Sequence, residues 1–88
     1  IQALATLDVY GRVARQLLAF SEAYGRKTDE GTLIPMRLKQ HDLADLIAAS
    51  RVRVNQVMMH FREENLVTLD EKKRVVVLNR EGLEAQCR

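Results

Sequence analysis

The sequence predicts a small α+β domain: a three-helix core with short strands and a β-hairpin at one edge. Three observations carry that expectation. Residues 9–24 place Tyr10, Val13, Ala14, Leu17, Leu18 and Tyr24 in one broad apolar stripe, mostly at helical spacings of three and four. Residues 40–62 hold two shorter helical patterns on either side of Ala48, Ala49 and Ser50. Residues 66–78 hold two runs rich in Val, Leu and Thr around Asp70, Glu71, Lys72 and Lys73, which reads as strand, turn and strand.

A chain of 88 residues has room for one core. Its 47% hydrophobic and 30% charged content suits a folded, soluble globular domain rather than a disordered one. The net charge of +2 is modest, so the distribution of charge says more than the total. Acids gather at Asp29–Glu30, Glu63–Glu64, Asp70–Glu71, Glu81 and Glu84, and none falls between Asp45 and Glu63. Arg51, Arg53 and Arg62 all lie in that acid-free interval, so the second short helix is basic. Cys87 is the sole cysteine, which excludes an intrachain disulfide or a cysteine metal cluster and fits a reducing cytoplasm. No apolar run approaches the roughly 20 residues needed to span a bilayer, and the N-terminus lacks a signal-peptide pattern. The first residue is not Met, so a piece of a longer protein is expected.

In residues 1–6, Ile1, Leu4 and Ala5 share a helical face and read as the tail of a preceding helix. Asp8 is the expected N-cap of the helix over 9–24, with Gly25 as its stop. Residues 25–31 read as a polar loop. Residues 32–38 alternate around Pro35, which limits them to a short or edge strand, with 33–36 placed to pair with a later strand.

The helix over 40–48 has Leu43, Leu46 and Ile47 as its apolar residues and carries Asp42 and Asp45 near its positive end. Lys39 is a poor leader for it, whereas Ser50 is a good cap for the next helix. In that second helix Val54, Val57, Met58 and Phe61 form the expected buried stripe, leaving Arg51, Val52, Asn55, Gln56 and Met59 exposed. Asn65 is expected in a left-handed cap, and Asn79 caps a short last helix over 80–86 that Gly82 weakens.

A helix offering guanidiniums and carboxamides without acids has the chemistry that reading a DNA groove requires. Arg51 suits guanine O6 and N7, Gln56 suits adenine N6 and N7, and Val52 has only a thymine methyl to meet. Lys39, Gln40 and His41 begin the first helix of the pair, where side chains and amides hold phosphate. Arg53, Asn55, Arg62, Lys72 and Lys73 are further expected contacts to the DNA backbone, the last two from the hairpin turn. A solvated turn is the other reading of that hairpin, because Asp70 and Glu71 offset its charge. His41 and His60 stand apart with no acid–base–nucleophile set, and Ser50 has no base beside it. No enzyme, metal or cofactor is therefore expected.

The order and spacing of these motifs resemble the C-terminal DNA-binding domain of the Crp/Fnr superfamily of bacterial transcription regulators. The resemblance rests on LDVYGRVARQLLAF at 7–20, LADLIAASR at 43–51, NLVTL at 65–69 and the strand at 75–78. The family's helix after the turn reads serine–arginine–glutamate–threonine–valine–x–arginine, against Ser50, Arg51, Val52, Arg53, Val54, Asn55 and Gln56 here. Serine, the first arginine and valine match, while Val52 and Gln56 replace two charged base readers.

The resemblance implies a winged helix-turn-helix over 7–88, preceded in 1–6 by the end of a dimerisation helix. It implies sequence-specific binding of double-stranded DNA, with the helix over 50–62 in the major groove and Arg51, Val52 and Gln56 as base readers. It also implies a homodimer controlled by an N-terminal effector domain, and an RNA polymerase contact near 23–31. The departures at Val52 and Gln56 imply a half-site other than the family's best known one. A winged helix used for protein contacts without DNA binding is the competing reading, and the apolar Val52 and Met59 favour it.

Overall fold

The computed structural model describes residues 2–87, and among them the side chains of all but residues 2–8 and 40. Four helices and four short strands follow in the order α1 (Gln2–Tyr24), β1 (Arg26–Lys27), β2 (Thr32–Leu33), α2 (Gln40–Ile47), α3 (Arg51–Glu63), β3 (Val67–Leu69), β4 (Val75–Val77) and α4 (Arg80–Ala85).

The first helix is longer than its expected start at Asp8. It runs through that residue, so Asp8 is interior to α1 and not its N-cap. Residues 2–7 contain neither Gly nor Pro, and extending an existing helix over such residues costs less than starting a new one. Val13, Ala14 and Leu17 of the expected stripe are fully buried, and Tyr10 is half-buried. Tyr24 is not part of the core: it is 56% exposed, because the last turn of α1 overhangs the packed elements. Ser21 takes the inner position there, its Oγ donating to the Leu18 carbonyl at 2.8 Å. Gly25 ends the helix where only a glycine fits, since a Cβ would lie 2.1 Å from the Ser21 carbonyl oxygen and 2.5 Å from Thr32 Cγ2.

The expected polar loop over 25–31 contains a strand. Arg26 pairs with Leu33 and Lys27 with Thr32, closed by Thr28, whose Oγ1 donates to the Gly31 carbonyl and accepts from the Gly31 amide. Conversely, the strand expected over 32–38 ends at Leu33. The Ile34 amide adds one bond to the Val75 carbonyl at 2.8 Å, and Pro35 then has no N–H to continue the ladder. Its pairing with the later strand is as expected, Thr32 opposite Val77 and Leu33 opposite Val76. The resulting antiparallel sheet has the order β1-β2-β4-β3, with the C-terminal hairpin at one edge.

Between α2 and α3 the chain turns on Ala48, whose φ of 57° is left-handed. The Ala49 amide reaches back to the Ala44 carbonyl at 3.0 Å and closes the end of α2. Ser50 then caps α3 by accepting from the Arg53 amide at 3.1 Å. Lys39 leads α2 with no side-chain cap bond.

Val54, Val57 and Phe61 project from α3 into a core shared with Val13, Leu17, Ile34, Leu43, Ile47, Val67 and Leu83. Met58, the fourth member of the expected stripe, is half-buried. Each large apolar side chain buried here contributes about 1.5–3 kcal/mol, so this face of α3 fixes the helix against the rest of the domain. Tyr10 of α1 meets His60 edge-on at 5.3 Å between ring centroids, which packs that histidine rather than leaving it at the surface.

Asn65 adopts the left-handed conformation expected of it (φ 59°) as the chain leaves α3 for β3. Asn79 caps α4 by accepting from the Gly82 amide at 2.9 Å, and the fully buried Leu83 holds that helix to the core. Arg80 ties α4 to α1 through an ion pair with Glu22, and it also pairs with Glu84 of its own helix.

Candidate nucleic-acid interface

The buried and exposed faces of α3 divide as its sequence pattern requires. With Val54, Val57 and Phe61 inside, Arg51, Val52, Asn55, Gln56, Met59 and Arg62 face solvent. Two rows run along that outer face at helical spacing. Arg51, Asn55 and Arg62 line the groove beside the hairpin, Val52 and Gln56 lie outside it, and Met59 sits between the two rows and touches the groove as well.

Between the first row, the start of α2 and the hairpin lies a groove of about 410 Å³. Its charged or titratable walls are Arg37, Lys39, His41, Arg51, Arg62 and Lys73, and no carboxylate lines it among the described residues. Leu38, Leu43, Val54, Met58, Leu69 and Val75 form its apolar floor. A concave surface walled by one sign of charge over apolar side chains focuses the field outward and attracts a polyanion. The arrangement follows from the fold: Lys39 and Arg51 are 12 positions apart in sequence, yet the turn at Ala48 folds the start of α2 back beside α3.

The hairpin turn is built rather than loose. Asp70 Oδ1 accepts from the amides of Lys72 at 3.0 Å and Arg74 at 2.7 Å. Its Oδ2 accepts from Arg74 Nε at 2.8 Å. The Lys73 amide donates to the Asp70 carbonyl at 2.9 Å and Lys73 itself is left-handed (φ 62°), a turn followed by a bulge residue. The hydrogen bond from the Arg74 amide has the largest effect on the Asp70 pKa; burial opposes it, and the guanidinium's bond and charge with the Lys72 amide leave the net shift downward. Asp70 thus neutralises Arg74 within the turn, and Lys73 is carried to the groove.

Of the residues expected from the sequence, the groove brings together Lys39, His41, Arg51, Asn55, Arg62 and Lys73. Val52 and Gln56 lie on the outer row of α3, both exposed, and Lys72 is exposed at the turn. Arg53 is half-buried beside the cap of α3. The side chain of residue 40 lies outside the described residues. His41 Nε2 sits 3.1 Å from Asp42 Oδ1, so part of its capacity is directed at its own helix.

Arg37 is the groove residue that the sequence reading missed. Its signal was faint: a basic residue after Pro35, in a stretch read as strand. Once Pro35 ends the ladder, the segment before α2 is free to pass along the groove.

Comparison with known proteins agrees with this fold. Residues 11–86 match the Crp-like helix-turn-helix domain. Over 81 residues the chain is 33% identical to a CRP-like cAMP-activated global transcriptional regulator of Mycobacterium tuberculosis, covering 92% of this chain and 36% of that protein. It is 30% identical over 79 residues to the anaerobic regulatory protein of Bacillus subtilis, covering 88% of this chain and 33% of the relative. The chain therefore spans about a third of the length of these curated relatives. Among solved structures, the CO-dependent transcription factor CooA of Carboxydothermus hydrogenoformans superposes with a TM-score of 0.88 at 16% identity. That match covers 97% of this chain and 39% of CooA and reflects the shared fold. Motif order, winged architecture and the match over 11–86 lead to one assignment: the chain belongs to the Crp-like helix-turn-helix domain family, within the Crp/Fnr type of transcription regulators.

Proposed function

We propose that this domain binds a specific double-stranded DNA sequence, with α3 in the major groove and the hairpin as a wing on the adjoining backbone. The observation that carries the reading is the basic groove. Side chains from the segment before α2, from α2, from α3 and from the hairpin converge there without an acid among the described residues. Lys39, Arg37, Arg62 and Lys73 are assigned to phosphates, which position the domain, with Arg53, Lys72 and Asn55 as further backbone contacts. Arg51, at the first turn of α3, is the guanine reader, and Val52 and Gln56 are the neighbouring base contacts.

In the whole regulator two such domains act as a homodimer, placing two α3 helices in successive major grooves about 34 Å apart. An N-terminal effector domain, joined through the first turns of α1, governs their spacing. The location is the cytoplasm, where the DNA is; among the described residues no helix is long and apolar enough to cross a membrane. RNA polymerase contact is assigned to the exposed stretch around β1 and the turn after it. The relatives are named as regulators and not enzymes, and the role proposed here requires no chemistry on the DNA.

Val52 and Met59 are 67% and 53% exposed, which favours a protein-docking face as the second reading. Selection of bound sites from random duplex DNA by the intact regulator separates the two. Recovery of one sequence as two inverted half-sites is the expected result. Binding without sequence preference, or none at low salt, contradicts the proposal.

A further inference from the structure

The large apolar side chains exposed among the described residues are Tyr24, Leu46, Val52 and Met59, and two of these lie on α3. Val52 and Met59 are seven residues apart, with the exposed Gln56 between them, so the three form one row along the helix. At 1.5 Å of rise per residue, Val52 and Met59 are separated by about 10 Å along the axis, roughly three base-pair steps. Asn55 Nδ2 donates to Met59 Sδ at 3.8 Å, which links the thioether to the neighbouring groove-side row. Met59 therefore borders both rows of the outer face.

Apolar groups gain little against most of the major groove, because base edges there are hydrogen-bonding groups that lose water without gaining a partner. The exception is the C5-methyl of thymine, and a carboxamide between two apolar groups matches the N6 and N7 of adenine. Resting on the DNA-reading function proposed above, we infer that Val52, Gln56 and Met59 act as one unit that reads thymine methyls on either side of an adenine. The half-site is then A·T-rich beneath the middle of α3, next to the guanine read by Arg51. Met59 becomes a specificity-determining residue, a role its position among basic neighbours did not suggest. The basic groove alongside favours DNA over a protein as the occupant of this row.

The test replaces each thymine of the selected site, one at a time, by 2′-deoxyuridine, which removes the methyl and keeps the base pair. The intact regulator should bind about fourfold more weakly for each methyl that the row covers. Val52→Ala and Met59→Ala should each weaken binding to the thymine duplex and abolish the thymine–uracil difference at one position. Both side chains are exposed, so neither variant disturbs the core. Equal binding of thymine and deoxyuridine duplexes overturns the inference while leaving DNA reading intact. Unchanged DNA affinity in both variants, the outcome for a protein-docking row, overturns it too. Failure to select any site contradicts the DNA-reading function itself, and this inference with it.

Discussion

Asp70 holds Arg74 at two points, accepting from its amide at 2.7 Å and from its Nε at 2.8 Å. That clamp sets the conformation of the hairpin turn and the placement of Lys73 on the groove. The Arg74 hydrogen bonds favour the ionised carboxylate and lower its pKa in the folded state. A lowered folded pKa means the unfolded chain takes up the proton first as pH falls. The stabilisation is complete above the ordinary carboxylate range and is lost as pH drops through the folded-state value. Asp70→Asn should therefore remove part of the acid-side loss of stability. Urea unfolding between about pH 6 and pH 2 checks this. Wild type and variant should differ most at the upper end and converge at the lower; a constant difference contradicts the clamp.

Ala48 sits in the left-handed region at φ 57°, where a Cβ costs about 1–2 kcal/mol. Glycine removes that strain but gains freedom in the unfolded chain, which returns about 0.4–1 kcal/mol. Ala48→Gly should raise stability by about 0.5–1 kcal/mol, seen as a higher urea midpoint at unchanged slope. A lower midpoint would mean that the Ala48 side chain contributes something the exposed turn does not reveal.

Arg37, Lys39 and Lys73 reach the same groove from separate segments. As phosphate contacts they should act alike: replacing any one by Ala should weaken binding to all sequences and reduce the slope of log K against log salt by about one unit. Fluorescence anisotropy over a salt series measures it. A full slope in the Arg37→Ala variant would return that residue to the role of bystander.

Much of this domain was legible in the sequence because its signals are local. The cap at Ser50, the left-handed Asn65, the buried Val54, Val57 and Phe61 and the hairpin over 66–78 each follow from a few neighbouring residues. What escaped depends on distance. The strand at Arg26–Lys27 exists because β2 lies beside it, which no feature of its own two residues announces. Tyr24 fits the apolar spacing but falls beyond the reach of the core, and Asp8 lost its cap role because the preceding residues continue the helix. The groove was legible only in parts: its residues carried basic character singly, and their convergence required the turn at Ala48. Arg37 joined them through Pro35, whose missing N–H releases the segment from the sheet.

The central claim is that α3 reads bases, with Arg51 as the guanine contact at its first turn. A double-mutant cycle tests it most directly, pairing Arg51→Ala with replacement of the cognate G·C pair in the selected site. Each single change should weaken binding by about 1–3 kcal/mol, and the two together should cost little more than either alone. Additive losses at every base pair of the site would contradict the account.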